Sequence, residues 1–200
     1  MASVQRQALD FIVRHWKRSE LEKRAEFFTS LFDKYLDRES QILDIGGGWG
    51  FYHRPLVRRG HQPIVLEVVK PGYQQAPVVL YDGCRIPFPD MSFDASLLVT
   101  VMHHIPDYEG VLREAIRVTR KRILVVEDLY RHSWGRFWTL WRDRIYNFEY
   151  CGHPGNFKTQ EGWNGIFKKL ELRIEHFEAH YTWLAGLRIL NGVYILNVPR

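Results

Sequence analysis

The sequence predicts an α/β fold, with a doubly wound, mostly parallel seven-stranded sheet that closes on an antiparallel hairpin at the C-terminus. Five short runs of aliphatic and β-branched residues support this prediction, because such runs suit strands buried on both faces of a parallel sheet. The runs are Ile42 to Ile45, Ile64 to Leu66, Val78 to Tyr81, Phe93 to Val99 and Ile123 to Val126. Helical or loop segments alternate with them, and each run finishes in or near a polar residue. The carboxyl ends of parallel strands share one edge of a sheet, where ligands bind, so we expect these polar residues to meet there.

The elements around these runs follow from local signals. Residues 1–38 are helical in pattern, and one apolar stripe at helical spacing comprises Leu21, Ala25, Phe28, Phe32 and Tyr35. A shorter helix is predicted ahead of it from Ala8, Ile12 and Trp16. Another helix is expected over Phe51 to Arg59, and Asp107 and Thr159 are predicted to cap two more. The last thirty residues are expected to add the hairpin at a sheet edge.

Composition limits the classes of protein that the chain can represent. The 200 residues carry a net charge of +5, and the basic residues are spread along the chain, which favours a solvated surface over a nucleic-acid site. No apolar stretch approaches the ~20 residues that cross a bilayer, and the N-terminus does not resemble a secretion signal. The two cysteines form no Cys-x-x-Cys pair. We therefore expect a soluble, cytoplasmic, single-domain protein.

A metal site is not predicted. The segment from His176 to His180 reads His-Phe-Glu-Ala-His, which is not the His-Glu-x-x-His pattern of zinc enzymes, and no third ligand is evident. A strand or helix at the surface explains the segment better.

The most informative motif is a glycine-rich loop after the first predicted strand, with the sequence Asp44-Ile45-Gly46-Gly47-Gly48-Trp49-Gly50. Residues without a Cβ allow tight turns, positive φ and close approach of a ligand to the backbone. The spacing does not fit the dinucleotide fingerprint Gly-x-Gly-x-x-Gly, since Phe51 and His53 stand where a third glycine is needed. The phosphate-binding Gly-Lys-Ser/Thr sequence is also missing. Dehydrogenases and nucleotide hydrolases are therefore disfavoured.

The pattern Asp-x-Gly-x-Gly-x-Gly at 44–50 resembles the Rossmann-like (class I) S-adenosylmethionine-dependent methyltransferases. Three later segments resemble the same family in order and spacing: Tyr81 to Phe88, Pro89 to Asp94 and Val101 to Asp107. The resemblance covers about residues 40–128, and the subgroup that it most resembles methylates small molecules. It divides the single domain 1–200 into N-terminal helices (1–38), a cofactor-binding core (40–128), a cap over the acceptor site (129–157) and a C-terminal helix and hairpin (158–200).

This resemblance implies S-adenosylmethionine as the cofactor and specifies its binding residues. Glu67, at the end of the second run, falls where the family places a carboxylate on the two ribose hydroxyls, a role that suits an acceptor of two hydrogen bonds. Asp82 falls where an acidic residue receives the adenine amino group. The full implied set is Asp44, Gly46, Gly48, Glu67, Asp82, Gly83, Cys84 and Thr100. The chain departs from the family at Gly47 and Trp49, and its residues 119–122 replace the usual turn before the fifth strand.

The resemblance implies in-line transfer of a methyl group to a small molecule, with an RNA or protein methyltransferase and a non-catalytic S-adenosylmethionine-binding protein as alternatives. Aligning the acceptor can contribute roughly 7–11 kcal/mol, and a base is needed only for a protonated, weakly acidic acceptor. His103 and His104, just beyond the fourth strand, are the candidate bases, although local packing of one and solvation of the other would also explain them.

The predicted cap is rich in aromatic and basic residues. At helical spacing it carries Trp134, Phe137, Trp138, Trp141 and Ile145, interleaved with Arg131, Arg136, Arg142 and Arg144. Three interpretations stay open at this point: a core-facing helix with solvated arginines, the lining of a pocket for an aromatic or anionic acceptor, or a surface that touches a membrane or RNA. Nucleic acid is the less favoured partner. The sequence does not indicate an oligomeric state.

Overall fold

One seven-stranded sheet organises the chain, in the order β3-β2-β1-β4-β5-β7-β6. The computed structural model describes residues 2–130, 137, 155–184 and 186–199. The strands are β1 (Gln41–Ile45), β2 (Gln62–Glu67), β3 (Val78–Leu80), β4 (Phe93–Val99), β5 (Thr119–Asp128), β6 (Arg173–Leu184) and β7 (Leu187–Asn197). Strands β1 to β5 are parallel, and β7 is antiparallel to both β5 and β6. The predicted mostly parallel sheet with a C-terminal hairpin is confirmed.

Helices cover both faces of this sheet. They are α1 (Ala2–Ile12), α2 (Arg18–Asp33), α3 (His53–Arg58), α4 (Tyr108–Val118) and α5 (Gln160–Lys169), and a short 3-10 turn spans Met102–His104. A five-residue π-helical stretch, Val13–Lys17, joins α1 to α2. Both predicted caps are present, since Asp107 accepts from the Gly110 amide at 2.9 Å and Thr159 accepts from the Gly162 amide at 3.2 Å.

The core is divided in two by the sheet. On one face, α2 and α3 pack Phe28, Phe32 and Leu56 against inward residues of β1, β4, β5 and β7. On the other face, α4 and α5 pack against the alternate residues of the same strands, with Trp163 and Phe167 fully buried. Since successive strand residues point to opposite faces, Asp44 and Asp128 lie on the α2 face and Glu127 lies on the α4 face.

Two local expectations are wrong. Strand β3 is not buried on both faces, because it is a three-residue edge strand in which Leu80 is 50% exposed. Residues 119–122 do not form a turn: α4 ends at Val118 and β5 begins at Thr119, whose hydroxyl lies 2.6 Å from that of Ser96. The shorter helix predicted from Ala8, Ile12 and Trp16 is present as α1, which continues into the π-helical stretch that contains Trp16, a residue that is 74% exposed.

Much of the predicted cap, with Trp134, Trp138, Trp141 and Ile145, lies outside the described residues. In the ranges that are described, no helix combines the length and the apolar character that a bilayer-spanning segment requires.

Candidate cofactor site

The glycine-rich loop leaves the carboxyl end of β1 and folds back over it. Gly46 and Gly48 have positive φ angles of 67° and 56°, and the Gly46 amide donates to the Leu66 carbonyl at 2.8 Å. A Cβ on Gly46 would collide with Val101, and one on Gly47 would collide with the Asp44 carboxylate. Around the Cβ position of Gly48, by contrast, no atom of the described residues lies within 4 Å, apart from those of Gly48 and its two chain neighbours. The loop is thus tightly packed at Gly46 and Gly47 but open at Gly48, where a ligand can approach the backbone.

Asp44 lies beneath this loop in an environment that disfavours its charged form. The side chain is 1% exposed, and neither carboxylate oxygen has a hydrogen-bond partner in the part of the chain that the structure describes. Burial, and then the negative charge of Glu67, raises the pKa of Asp44 to about 7. A buried acceptor without donors is costly, so Asp44 is suited to a ligand that supplies a donor or a positive charge.

Glu67 connects the end of β2 to the same loop. One carboxylate oxygen accepts from the Gly48 amide and the other accepts from the Val68 amide, each at 2.9 Å. These two bonds fix the carboxylate beside the open position at Gly48. Each carboxylate oxygen can accept a further hydrogen bond, so Glu67 keeps the capacity to bind hydroxyl groups.

The turn after β3 holds the next three predicted residues at the same edge of the sheet. Asp82 is exposed, and one of its oxygens accepts from the amides of Cys84 and Arg85 at 2.8 Å each. These two backbone bonds hold the pKa of Asp82 below its usual value. Gly83 adopts a φ of 80°, which permits this turn, and the free thiol of Cys84 is exposed.

Thr100 follows β4 with a φ of 48°, an unusual conformation for a β-branched residue. Its amide donates to the Val126 carbonyl at 2.7 Å, which extends the pairing of β4 with β5 by one residue. The chain then reverses into the 3-10 turn Met102–His104. Thr100 therefore lies at the junction between the sheet and the segment that carries both histidines.

The two histidines have different environments. His103 is 2% exposed, its Nδ1 lies 2.6 Å from a carboxylate oxygen of the fully buried Glu127, and its ring stacks on Phe157. The other oxygen of Glu127 accepts from the amides of Val101 and Met102 at 3.1 and 2.8 Å. His104 is only partly buried. Glu127 thus fixes the turn and the His103 ring together, while His104 is the more accessible of the two.

Two residues near the site are not identified by the sequence analysis. Asp10 of α1 accepts from the Trp49 indole nitrogen at 2.7 Å and from the Gly72 amide at 2.9 Å, so the first helix holds the glycine loop. Arg24 of α2 has a side chain only 9% exposed. The available signal for Arg24 was its position four residues before Phe28, on the flank of the apolar stripe. Asp10 gave no local signal.

A cavity of about 330 Å³ lies beyond the carboxyl end of β5, on the α5 face. Its walls include Leu129, Tyr130, Leu190 and the N-terminal residues Gln160 and Glu161 of α5. Among the described residues, no group of three or more His, Cys, Asp or Glu side chains is placed to hold a metal ion.

Three features define a nucleoside-binding α/β domain of the Rossmann type. They are a bent glycine loop after β1, a carboxylate at the end of β2 and a buried carboxylate between them. Residues 43–126 match a family model described as a methyltransferase domain. A solved S-adenosylmethionine-dependent methyltransferase from Methanosarcina mazei superposes with a TM-score of 0.64 at 19% identity, covering 84% of this chain and 96% of that one. Residues 43–126 thus match a methyltransferase domain, and the chain shares its fold with this solved S-adenosylmethionine-dependent methyltransferase.

Curated relatives match over the same region. A demethylmenaquinone methyltransferase from Streptomyces griseus is 30% identical over 114 residues, which are 52% of this chain and 49% of that protein. An uncharacterized methyltransferase from Mycobacterium sp. (strain JLS) is 34% identical over 92 residues, which are 42% of this chain and 36% of that protein. The chain therefore spans about half the length of these relatives, or less.

Proposed function

We propose that the chain transfers a methyl group from S-adenosylmethionine to a small molecule. The observation that carries this proposal is the buried carboxylate of Asp44, without hydrogen-bond donors among the described residues, beneath a glycine loop that is open at Gly48. These residues fit a ligand that combines hydroxyl groups, an amine and positive charge. When bound, the cofactor supplies a methyl group on an already activated sulfonium.

In this proposal the protein binds and orients the cofactor and the acceptor, while the methyl group is already activated by the sulfonium. Glu67 accepts from the ribose hydroxyls while the Gly48 amide holds its carboxylate in place. Asp82 accepts from the adenine amino group at the end of β3. The proposed binding surface is completed by Gly46, Gly83, Cys84 and Thr100. Rigid placement of the acceptor against the methyl group can supply roughly 7–11 kcal/mol of barrier lowering.

The proposed acceptor is a small molecule. The cavity beyond β5, at about 330 Å³, lies within the size range of small-molecule sites, roughly 300–1,000 Å³. The Streptomyces griseus relative is named for a small-molecule acceptor, which supports the same class. Action on an RNA or protein has no such support in the described residues.

Between the two histidines, we assign the general-base role to His104 for acceptors that must lose a proton. Because His103 is almost fully buried and bound to Glu127, an acceptor reaches it only if the turn moves. His103 then acts as a positioning residue, and its ring lies 4.1 Å from that of His104, centroid to centroid.

Calorimetry with S-adenosylhomocysteine tests the cofactor proposal directly. We expect Glu67→Ala to weaken binding at least about tenfold, because two charge-assisted hydrogen bonds are lost. Glu109→Ala, which removes a carboxylate that pairs with Lys169 on α5, serves as the matched control and should bind like the wild type. Binding of a nicotinamide dinucleotide instead of S-adenosylhomocysteine would overturn the proposal. Tight cofactor binding without methyl transfer to any member of an acceptor panel would identify a non-catalytic binding protein.

A further inference from the structure

Two exposed aromatic side chains lie in contact on the outer side of the N-terminal helices. Phe11, in α1, is 55% exposed, and Trp16, in the π-helical stretch, is 74% exposed. Their ring centroids are 6.4 Å apart, and the rings meet edge to face. Apolar residues scattered singly over a surface are normal, so a pair in contact is the more informative feature.

The π-helical stretch explains why two residues five positions apart are neighbours. In a regular α-helix such residues point about 140° apart around the axis, because each residue turns the chain by about 100°. A π-helix instead forms hydrogen bonds between residues five apart. The stretch Val13–Lys17 therefore turns Trp16 towards Phe11, while Val13 packs into the core. Single π-helical turns inside helices are rare and are found frequently at functional sites.

Basic side chains flank the aromatic pair. Arg14 and Arg18 follow Phe11 by three and seven residues, which is the spacing of one helix face, and both are exposed. The His15 ring lies on the same face, 4.3 Å from the Phe11 ring between centroids. We call this surface, made of Phe11, Arg14, His15, Trp16 and Arg18, the aromatic–basic face.

The charge of this segment is positive. Residues 10–18 contain three arginine or lysine residues and one acidic residue, Asp10. Asp10 accepts from the Trp49 indole nitrogen and the Gly72 amide, so its carboxylate is bound to the domain rather than to the basic side chains. Arg18 pairs with Glu22 at 2.8 Å. A partner of the aromatic–basic face should therefore combine negative charge with a region that accepts aromatic rings.

The interface of an anionic lipid bilayer has both properties. Aromatic rings prefer the level of the lipid headgroups, and basic residues close to the surface are attracted to anionic lipids. A stable protein–protein interface needs roughly 800 Å² on each partner. Two aromatic side chains bury roughly 300–500 Å² in all, which falls short of that area. The composition of the face therefore favours a lipid surface over a protein.

We propose that the aromatic–basic face docks the protein onto an anionic membrane surface. Phe11 and Trp16 insert among the lipid headgroups, while Arg14 and Arg18 contact the lipid phosphates. The helix that carries them lies in the plane of the surface, as amphipathic helices at bilayer interfaces do.

This docking brings the cofactor site close to the lipid. Asp10 holds Trp49 of the glycine loop from the domain side of α1. The loop then lies roughly one helix diameter, about 10 Å, from the surface. The inference concerns a different surface from the cofactor site and does not depend on the proposed function.

Co-sedimentation of the whole chain with vesicles tests the docking. The wild type should bind vesicles of phosphatidylcholine and phosphatidylglycerol in equal parts at least about tenfold more tightly than vesicles of phosphatidylcholine alone. Arg14→Gln should weaken binding to the anionic vesicles about fivefold. Trp16→Ala should weaken it at least about tenfold, because an inserted aromatic side chain is removed. Trp183→Ala, which removes a tryptophan of β6 that is 63% exposed, is the matched control and should bind like the wild type.

Bromine-labelled lipids identify the inserted residue. They should quench the tryptophan fluorescence of the wild type and of Trp183→Phe, and much less that of Trp16→Phe, which keeps an aromatic ring and should still bind. Unchanged vesicle binding by Trp16→Ala, or unchanged quenching in Trp16→Phe, would show that another surface meets the lipid and would overturn the inference.

Two further outcomes would also overturn membrane docking. One is failure of the wild type to bind either kind of vesicle. The other is self-association in solution that Trp16→Ala abolishes, which would assign the aromatic–basic face to a second copy of the chain. These measurements require no cofactor, so their failure would leave the proposed function to its own calorimetric test.

Discussion

Asp44 is a residue whose environment opposes folding at neutral pH. Its folded-state pKa of about 7 lies above the unfolded value of about 3.9. Below pH 4 the residue is protonated in both states and contributes nothing. Between pH 4 and 7 the unfolded chain releases the proton while the folded chain retains it, so the free energy of unfolding falls as the pH rises.

Asp44→Asn should remove this dependence. As the pH rises from 5 to 8, the unfolding free energy of the ligand-free variant should gain about 2 to 3 kcal/mol relative to that of the wild type. Urea unfolding at several pH values measures the difference. Asp82→Asn is a suitable control, because the exposed Asp82 has a lowered pKa and is ionised in both states over this range. Parallel stability curves for the wild type and Asp44→Asn would contradict the pKa argument.

The contrast between Gly48 and Arg24 shows which properties of a residue a sequence can reveal. Gly46 and Gly48 were predicted because a positive φ and close approach to a ligand are local requirements that glycine satisfies. Arg24 was missed because its burial depends on how α2 lies on the sheet. An arginine on a helix is usually solvated, and the sequence does not show which of them the sheet covers.

At the scale of elements, the predicted helix caps are confirmed because they rest on local sequence signals. The caps of α4 and α5, at Asp107 and Thr159, need only a side chain that accepts from an amide three residues later. Where the family has its usual turn before the fifth strand, this chain has the start of β5, which includes Arg120, Lys121 and Arg122. These residues extend the strand since their charges pair with Asp94, Asp37 and Glu175, which are distant in sequence.

The turn Met102–His104 gives a prediction that separates two neighbouring histidines. His104→Asn should lower kcat by about a hundredfold for an acceptor that must lose a proton, with stability unchanged. His103→Asn should instead lower the free energy of unfolding by about 1 to 3 kcal/mol, because Glu127 loses its buried partner.

Steady-state kinetics across pH, together with urea unfolding, measure both effects of these substitutions. Loss of the acidic limb of the pH profile, along which the rate rises as a base loses its proton, is the expected signature of a general base if it occurs in His104→Asn but not in His103→Asn. The opposite assignment of the two effects would show that His103 is the reacting group.

At the scale of the whole molecule, the mostly parallel sheet and its C-terminal hairpin followed from the sequence, but the packing of the N-terminal helices did not. The strand runs and the glycine loop lie within one continuous segment and obey the rules of parallel sheets. Asp10 and Trp49 are 39 residues apart, and their hydrogen bond joins a helix outside that segment to the loop inside it. Contacts of this kind depend on the assembled surface rather than on any pattern in either segment.

This bond predicts that the N-terminal helix affects how tightly the cofactor is held. Asp10 bridges Trp49 and Gly72, and the Gln75 amide donates to the Trp49 carbonyl at 2.7 Å, so α1, the glycine loop and the segment after β2 form one connected unit. Asp10→Ala should release both donors and weaken S-adenosylhomocysteine about fivefold, mainly through faster dissociation. Trp49→Phe should have a similar effect.

A double-mutant cycle decides whether the two residues act through their shared bond. If they do, the variant that carries both substitutions should bind about as well as Asp10→Ala alone, since Trp49→Phe removes only a bond that Asp10→Ala has already removed. Stopped-flow measurement of dissociation rates, followed through the intrinsic fluorescence of the remaining tryptophans, gives the coupling. Glu26→Ala, which removes the ion pairs of α2 with Arg58 and Arg59 at the C-terminal end of α3, is the control and should leave the dissociation rate unchanged. Additive effects of Asp10→Ala and Trp49→Phe would show instead that the helix and the loop contribute to binding independently.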